Sequence, residues 1–139
     1  MRTYTFFIAG IIQGSIASES VHRQDYRRAI TDIIEENIPG ADVYCPFSNH
    51  PGSLDYPDEK ARAVFFDHIT MAAERDCLIT YVPEASMGTA VEMFAAADAG
   101  RPVVTISPLT GNWTVKFLSD RILSDLEAFR DAMPDDAKQ

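Results

Sequence analysis

The sequence predicts an α/β fold in which helices cover both faces of a five-stranded parallel sheet, forming a three-layer sandwich. Short runs of β-branched and aromatic residues alternate with longer segments of helical character, which is the pattern of parallel βαβ units. The run from Asp76 to Val82 (DCLITYV) is apolar almost throughout. A strand covered on both faces needs such a run, so we expect this strand at the centre of the sheet.

The first part of the chain contains two predicted strands and the helix between them. Thr3 to Ala9 (TYTFFIA) and Ala41 to Pro46 (ADVYCP) have the composition of strands. Between them, apolar residues recur at helical spacing from about Ser20 to Glu36. Pro39-Gly40 ends this helix, because proline cannot continue it and glycine favours a turn.

The second part repeats the alternation around the predicted central strand. A helix over 58–74 precedes that strand, and another helix begins near Gly88 and ends at Gly100, a residue suited to terminate a helix. Ser124 and Glu127 have the spacing of a capping box and predict the start of the last helix. The elements before that helix are a strand over 103–107, a short helix over 113–118 and a brief strand over 121–123.

Parallel strands joined by helices predict a flavodoxin-like sandwich with right-handed crossovers. In such sheets, ligands bind beyond the carboxyl ends of the strands. This rule nominates three loops, over 10–15, 47–57 and 83–88. The second of them is rich in Pro, Gly, Ser and Asn and is long for such a fold, which favours a functional role.

Composition predicts one domain and narrows the partners. A chain of 139 residues suits a single core, so we assign 1–133 to one domain and 134–139 to an acidic tail. The net charge of −9 repels nucleic-acid backbones and anionic membrane surfaces, which we exclude as partners. Cys45 and Cys77 lie in apolar runs and predict free thiols of a reducing compartment. We recognise no signal peptide or membrane span, so the expected location is the cytoplasm.

The segment from Ser86 to Glu92 (SMGTAVE) carries the strongest chemical signal. It places a hydroxyl, a glycine and a carboxylate around the start of the helix that follows the central strand. Backbone N–H groups and the helix dipole favour an anion there, and we expect the dipole to keep Glu92 ionised. An ionised carboxylate in a cleft is a candidate nucleophile. A structural interpretation also stands, in which Ser86 caps the helix, Gly88 permits a turn and Glu92 is solvated.

These residues resemble a known family. The pattern Ser86-x-Gly88-x-x-x-Glu92, followed by Ala95, Ala96 and GRPVV from Gly100, is similar to the hallmark of the nucleoside 2-deoxyribosyltransferase superfamily, in which the glutamate is the nucleophile. The form GTAVE resembles the cytidine monophosphate N-glycosidase branch most. The similarity covers nearly the whole chain, from the strand and loop at 6–10 to the segment over 113–120.

The resemblance implies cleavage of the N-glycosidic bond of a small nucleoside or nucleoside 5′-monophosphate, by hydrolysis or by transfer of the sugar. It implies that Glu92 attacks C1′ of the sugar, with no metal and no cofactor. Asp67 is the candidate for a second carboxylate that orients the sugar or helps protonate the base, although it lies nine residues before Asp76, one more than in the family. The family builds its sites between subunits, which implies a homo-oligomer in which Asn112 reaches a neighbouring site.

The first loop departs from the family. Monophosphate-specific relatives have a serine and an arginine there, whereas this chain has GIIQG over 10–14, and Phe7 stands where some relatives have a tyrosine beside the nucleophile. A neutral nucleoside therefore remains an alternative to a monophosphate. The candidate substrate-binding residues are Gly10, Gln13, Gly14 and Ser15 in this loop, Ser86 and Gly88 at the helix start, and Asn112.

Two other functions stay open. Phe7 and the altered first loop favour a sensor that binds a nucleotide without chemistry. A cytokinin-activating phosphoribohydrolase is the second alternative, because its Gly-Gly-x-Gly-Thr-x-x-Glu motif overlaps at Gly88-Thr89 and Glu92. This chain has Ala85 and Ser86 in place of the glycine pair, which ranks that alternative lower.

The remaining histidine and aromatic residues are predicted to have structural roles. His22, His50 and His68 lack metal-ligand spacing, so we interpret them as surface or capping residues. Aromatic side chains in the same regions are candidates to stack on a base, but core or loop packing is the more common use of such residues. These are Tyr44, Phe47, Tyr56 and Trp113.

Overall fold

The structure, a computed structural model, describes residues 3–10 and 25–136. Within that part of the chain, the strands are β1 (Thr5–Gly10), β2 (Asp42–Tyr44), β3 (Cys77–Tyr81), β4 (Val103–Ile106) and β5 (Arg121–Leu123). The helices are α1 (Asp25–Asn37), α2 (Pro46–Asn49), α3 (Asp58–Glu74), α4 (Met87–Asp98), α5 (Trp113–Leu118) and α6 (Leu126–Asp136). The candidates Gln13, Gly14 and Ser15 lie outside the described residues, as does the predicted start of the first helix.

The five strands form one parallel sheet in the order β2-β1-β3-β4-β5. The predicted α/β class and parallel sheet are therefore confirmed, and this strand order is that of flavodoxin-like folds. The prediction that β3 is central is also confirmed, since Leu78, Ile79 and Thr80 are buried between two helical layers. The chain adds β2 on one side of β1 and all later strands on the other side. Binding sites of this fold class form at the boundary between β1 and β3, where this change occurs.

Neighbouring residues of β1 divide the core into two apolar layers. Phe6 and Ile8 pack with α1 and α6 on one face, whereas Phe7 and Ala9 pack with α3 and α4 on the other. This alternation follows from the two-residue repeat of a strand. Burying one such large apolar side chain contributes about 1.5–3 kcal/mol, so both layers hold β1 in place.

Two carboxylates fasten the amino-terminal edge of the sheet. Asp76 accepts hydrogen bonds through Oδ2 from the backbone N–H of Thr5 at 2.9 Å and from its hydroxyl at 3.1 Å. Asp120 accepts through Oδ2 from the backbone N–H of Val103 at 2.8 Å. These acids lie at the edge opposite to the carboxyl ends of the strands, and they hold strands together.

Two local predictions are wrong. The segment over 47–57 is not an unbroken loop, because Pro46 starts the short helix α2 and Ser53–Asp55 forms a 3-10 turn. Proline suits the first position of a helix, where its missing N–H has no partner to lose. At α6 the cap is Asp125 and not Ser124, since Asp125 Oδ1 accepts from the N–H of Ala128 at 2.8 Å.

Helix α4 ends as predicted at Gly100. Gly100 has φ of +76°, and the N–H groups of Gly100 and Arg101 donate to the carbonyls of Ala97 at 3.0 Å and Ala96 at 2.9 Å. This is the Schellman arrangement, which places a glycine in the left-handed conformation just past the helix.

We expect Gly100→Ala to lower the free energy of unfolding by about 1–2 kcal/mol, because a Cβ disfavours the left-handed backbone. Gly111→Ala is the matched control, since a Cβ at either position meets only open space and Gly111 does not have positive φ. Urea unfolding of both variants measures the difference. Equal losses in the two variants would contradict the role assigned to φ.

Candidate active site

Polar side chains gather at the carboxyl ends of β1 and β3. Helix α1 supplies Tyr26 and Arg27, the end of β2 supplies Cys45, α3 supplies His68 and α4 supplies Glu92. Arg27 bonds the thiol of Cys45, and its charge acts on both His68 and Glu92. We call these five residues the switch-point cluster. They surround the boundary between β1 and β3, where successive strands begin to be added on the opposite side of β1.

The first turn of α4 is held by Ser86. Its Oγ accepts from the backbone N–H of Thr89 at 3.4 Å and donates to the Thr89 hydroxyl at 2.8 Å. Ser86 is therefore the N-cap of α4, the structural role that the sequence also allows for it. Gly88 is exposed in the same turn, so its backbone is open to a ligand.

Glu92 lies in the second turn of α4 and is largely removed from water. Burial raises the pKa of its carboxyl to about 8, and the positive charge of Arg27 opposes that shift. Among the described residues, the carboxyl has no hydrogen-bond partner. The expectation that the helix dipole keeps Glu92 ionised is wrong, because the dipole acts over the first turn and desolvation dominates beyond it.

Arg27 is the central cation of the cluster. It is 3% exposed and donates from Nη1 to the carbonyl of Ile8 at 3.2 Å and from Nη2 to the carbonyl of Gly10 at 3.1 Å. Nη1 also lies 3.6 Å from Sγ of Cys45. The sequence analysis missed this residue, although one signal was present: Arg27 continues the apolar stripe of Ile30 and Ile34 at helical spacing.

The positive charge of Arg27 also acts on the thiol of Cys45. Burial opposes ionisation of its thiol, but hydrogen bonding with Ser48 and the charge of Arg27 outweigh burial and lower the pKa. No disulfide joins Cys45 and Cys77, as predicted for thiols of this sequence.

Gly10 is required at the end of β1 by close packing. The Tyr26 ring lies so near that a Cβ on Gly10 would clash with it. Tyr26 in turn stacks on Tyr81 with ring centroids 4.3 Å apart. Burial raises the pKa of Tyr26 well above its ordinary value, so its hydroxyl stays protonated. The backbone of Gly10 nevertheless lies within the switch-point cluster through its bond to Arg27.

His50 is the C-cap of α2, because its backbone N–H donates to the carbonyl of Pro46 at 2.8 Å, so the capping role expected for it is confirmed. His68 is neither a surface nor a capping residue, which corrects the interpretation drawn from spacing, and His22 lies outside the described residues. His50 and His68 are half-buried, and their rings lie 5.4 Å apart. His68 also contacts the rings of Phe7 and Tyr44 edge-on, at 5.9 and 5.6 Å. Burial, with the neighbouring His50 and Arg27, lowers the pKa of His68 to about 4, and the charge of Asp67 only partly offsets this.

Asp67 is exposed on α3, whereas the next residue, His68, faces the cluster. Asp67 lies one residue further from Asp76 than the family spacing, and that spacing falls on His68, the residue that faces the cluster. Helical geometry turns consecutive side chains by about 100°, so only one of the pair faces a given neighbour. The role predicted for Asp67 remains a prediction.

Ser86 and Asn112 come together along a cavity of about 190 Å³ between α4 and α5. Ala90, Met93 and Val115 also line this cavity, and Glu92 does not. Asn112 caps α5, because its Oδ1 accepts from the N–H groups of Thr114 at 3.0 Å and Val115 at 3.3 Å. Two candidate binding residues therefore share a cavity that the candidate nucleophile does not line.

Within residues 3–10 and 25–136, no group of three or more His, Cys, Asp or Glu side chains is arranged to hold a metal ion. No helix in that part of the chain has both the length and the apolar character needed to cross a membrane.

Solved structures share this architecture, although no family model and no curated protein matches the chain. A 2-deoxyribosyltransferase from the psychrotolerant bacterium Bacillus psychrosaccharolyticus aligns with a TM-score of 0.68 at 16% identity, over 94% of this chain and 96% of that one. The chain has the nucleoside 2-deoxyribosyltransferase fold.

Two further structures have the 2-deoxyribosyltransferase fold. A conserved protein from Enterococcus faecalis V583 aligns with a TM-score of 0.68 at 19% identity, over 97% of this chain and 99% of that one. The CMP N-glycosidase BcmB of Clostridium botulinum aligns with a TM-score of 0.52 at 17% identity, over 93% and 97%. The 2-deoxyribosyltransferase fold thus accounts for nearly the full length of each compared chain.

Proposed function

We propose that the protein cleaves the N-glycosidic bond of a small nucleoside or nucleoside 5′-monophosphate with Glu92 as the nucleophile. The observation that carries this proposal is a desolvated carboxyl without a hydrogen-bond partner among the described residues, at the switch point of the sheet. Support also comes from the shared fold, since two proteins that have it are a 2-deoxyribosyltransferase and a CMP N-glycosidase.

In the first step, a carboxylate oxygen of Glu92 forms a bond to C1′ while the bond from C1′ to the base nitrogen breaks. The electron pair of the broken bond leaves with the base, which then takes up a proton. The resulting glycosyl ester reacts with water in a hydrolase or with another base in a transferase. Arg27 opposes protonation of Glu92 and so favours the reactive ionised form.

The remaining candidates have proposed roles around this step. Backbone and hydroxyl groups of the first loop and of the α4 start bind the sugar or its phosphate, and Asp67 orients the sugar. These roles are proposals, and the binding set is Gly10, Gln13, Gly14, Ser15, Ser86, Gly88 and Asn112.

The test is chromatographic detection of free base from ribo- and deoxyribonucleosides and their monophosphates, with and without an acceptor base. Release without acceptor identifies a hydrolase, and release that requires acceptor identifies a transferase. Absence of release from every substrate would overturn the proposal.

A nucleotide sensor is the second candidate, favoured by the protonation of Glu92. With a pKa of about 8, most of the carboxyl is neutral at pH 7, and Phe7 has no hydroxyl to bond it. Binding of a nucleotide to folded protein without base release at any pH between 6 and 9 would support the sensor instead.

We also propose a homo-oligomer formed through the outer face of α3, α4 and α5. The large apolar side chains that are exposed in the described residues concentrate on these three helices, with Tyr4 as the exception. A patch of this kind on a soluble domain marks an interaction surface. The apolar face consists of Phe65, Phe66, Met87, Val91, Phe94, Trp113 and Phe117.

Phe94→Asp is expected to shift the protein to monomer, because the side chain is 59% exposed and would place a charge inside the proposed interface. Light scattering after size exclusion measures the mass. Arg28→Asp, on the opposite layer, is the control for added negative charge. A wild-type monomer at about 100 μM, where even weak association with a micromolar Kd is detected, would contradict the proposal.

We also propose a cytoplasmic location, because no disulfide joins Cys45 and Cys77 and unbridged thiols persist in a reducing compartment.

A further inference from the structure

His50 and His68 form a cluster with two tyrosines to which the proposed mechanism assigns no role. Nδ1 of His50 lies 2.8 Å from the Tyr56 hydroxyl, and Nε2 of His68 lies 3.1 Å from the Tyr44 hydroxyl. Each imidazole is therefore held at one ring nitrogen by a phenol. The other nitrogens, Nε2 of His50 and Nδ1 of His68, have no hydrogen-bond partner among the described residues.

This cluster belongs to the same edge of the sheet as Glu92. Tyr44 is the last residue of β2, and its ring stacks on that of Phe7 in β1 with centroids 5.6 Å apart. The His68 ring packs against both of these rings. The buried Arg27 links the two parts of the site electrostatically, because its charge acts on both Glu92 and His68.

The hydrogen bonds determine where the protons of the imidazoles lie. A phenol is a stronger donor than a neutral imidazole, and an imidazole nitrogen is a stronger acceptor than a phenol oxygen, so the tyrosine hydroxyls donate. Burial lowers the pKa of His68 to about 4 and raises that of Tyr44, which keeps this pair neutral near pH 7. Because each ring accepts a hydrogen bond at the nitrogen next to its tyrosine, the other ring nitrogen carries the hydrogen and is a donor.

We propose that His50 and His68 recognise the leaving nucleobase by donating from their two tyrosine-free ring nitrogens to a carbonyl oxygen on its edge. The preferred substrates are then nucleosides of oxo bases. This inference rests on the proposed function. Negative charge grows on the base as the bond to C1′ breaks, so fixed donors at its carbonyl oxygen bind the transition state more strongly than the ground state.

The experiment compares inosine with adenosine, and their 2′-deoxy forms, for the wild type and His68→Phe. The two purines differ at position 6, where hypoxanthine has a carbonyl oxygen and adenine has an amino group. We expect wild-type kcat/KM to favour the hypoxanthine nucleoside by about tenfold or more, since a site built of donors rejects a donor. Phenylalanine keeps the ring packing of His68 and removes the donor.

His68→Phe is expected to lower kcat/KM about 10- to 100-fold on the hypoxanthine nucleoside and at most about threefold on the adenine nucleoside. His50→Phe, a second variant in a separate segment, is expected to change selectivity in the same direction. His68→Gln keeps an N–H donor and restores part of the selectivity. Thr70→Ala, an exposed position of the same helix, is the control.

Equal losses on both purines, or no loss, in folded His68→Phe and His50→Phe would overturn the inference and leave the proposed function intact. A wild type that releases no base from any nucleoside overturns the proposed function instead. Equilibrium dialysis with hypoxanthine and adenine then decides the inference: selective hypoxanthine binding that His68→Phe abolishes supports it, and absence of that selectivity overturns it.

Discussion

Replacing Glu92 with Gln is expected to slow base release by about 10⁴-fold or more, because the amide cannot form the glycosyl ester. The side chain has no hydrogen-bond partner among the described residues, and Gln has the same shape, so the variant is expected to fold. Initial rates of base release measure the loss. Asp98→Asn, which removes an exposed carboxylate from the same helix, is the matched control.

The same carboxyl predicts how the rate depends on pH. In the proposed mechanism only ionised Glu92 attacks C1′. Because its pKa is about 8, kcat/KM is expected to rise about tenfold per pH unit below pH 8 and to level off above it. A profile that is flat from pH 6 to 8, or a Glu92→Gln rate within tenfold of wild type, would show that another group is the nucleophile.

Stability should respond to pH in the opposite direction. The folded pKa of about 8 is above the unfolded value of 4.5, so the native state binds more protons between these values. The contribution of Glu92 to the free energy of unfolding is therefore fully present below about pH 4.5 and is lost as the pH rises through 8. Glu92→Gln removes this contribution, and urea midpoints at several pH values show it as a flatter profile.

Arg27→Met is expected to lower the free energy of unfolding by about 2–4 kcal/mol, because two carbonyls at the end of β1 lose a buried donor. The affected carbonyls are those of Ile8 and Gly10. The pKa of Glu92 should rise further, since Arg27 is the charge that lowers it. Urea unfolding measures the first effect, and the midpoint of the kcat/KM profile measures the second.

Arg27→Lys separates the two effects of the guanidinium. An ammonium keeps the charge but lacks the planar fork that reaches two carbonyls, so stability should fall while the pH midpoint stays near that of wild type. Arg28→Met removes the exposed neighbouring cation and is the control. An unchanged pH midpoint in folded Arg27→Met would exclude Arg27 as the group that tunes Glu92.

The arrangement of the fold could be predicted from local patterns. The bounds of α3 (Asp58–Glu74), α5 (Trp113–Leu118) and β5 (Arg121–Leu123) agree with the sequence analysis. The apolar run of β3 predicted its central position, because a strand covered on both faces has no polar side. One error fell where neighbouring residues compete for one role, since Asp125 and not Ser124 caps α6.

Two residues of the candidate site could be singled out in the same way, and their roles in the chemistry stay predictions. Glu92 and Ser86 were identified from their spacing after the central strand, and the cap on Thr89 is the interaction that such spacing favours. The protonation of Glu92 could not be predicted. It depends on how much water the folded chain excludes and on the charge of Arg27, which is far from Glu92 in the sequence.

The sequence by itself determined the layers, the strand ends and the helix that bears Glu92, because hydrophobic periodicity and turn residues act over a few neighbouring positions. Only the tertiary structure decided that Arg27 bonds the carbonyl of Gly10 within the switch-point cluster and that the rings of His50 and His68 lie 5.4 Å apart. These contacts join segments far apart in the chain. Their chemistry arises from burial and charge, which exist only once the sheet and its helices have excluded water.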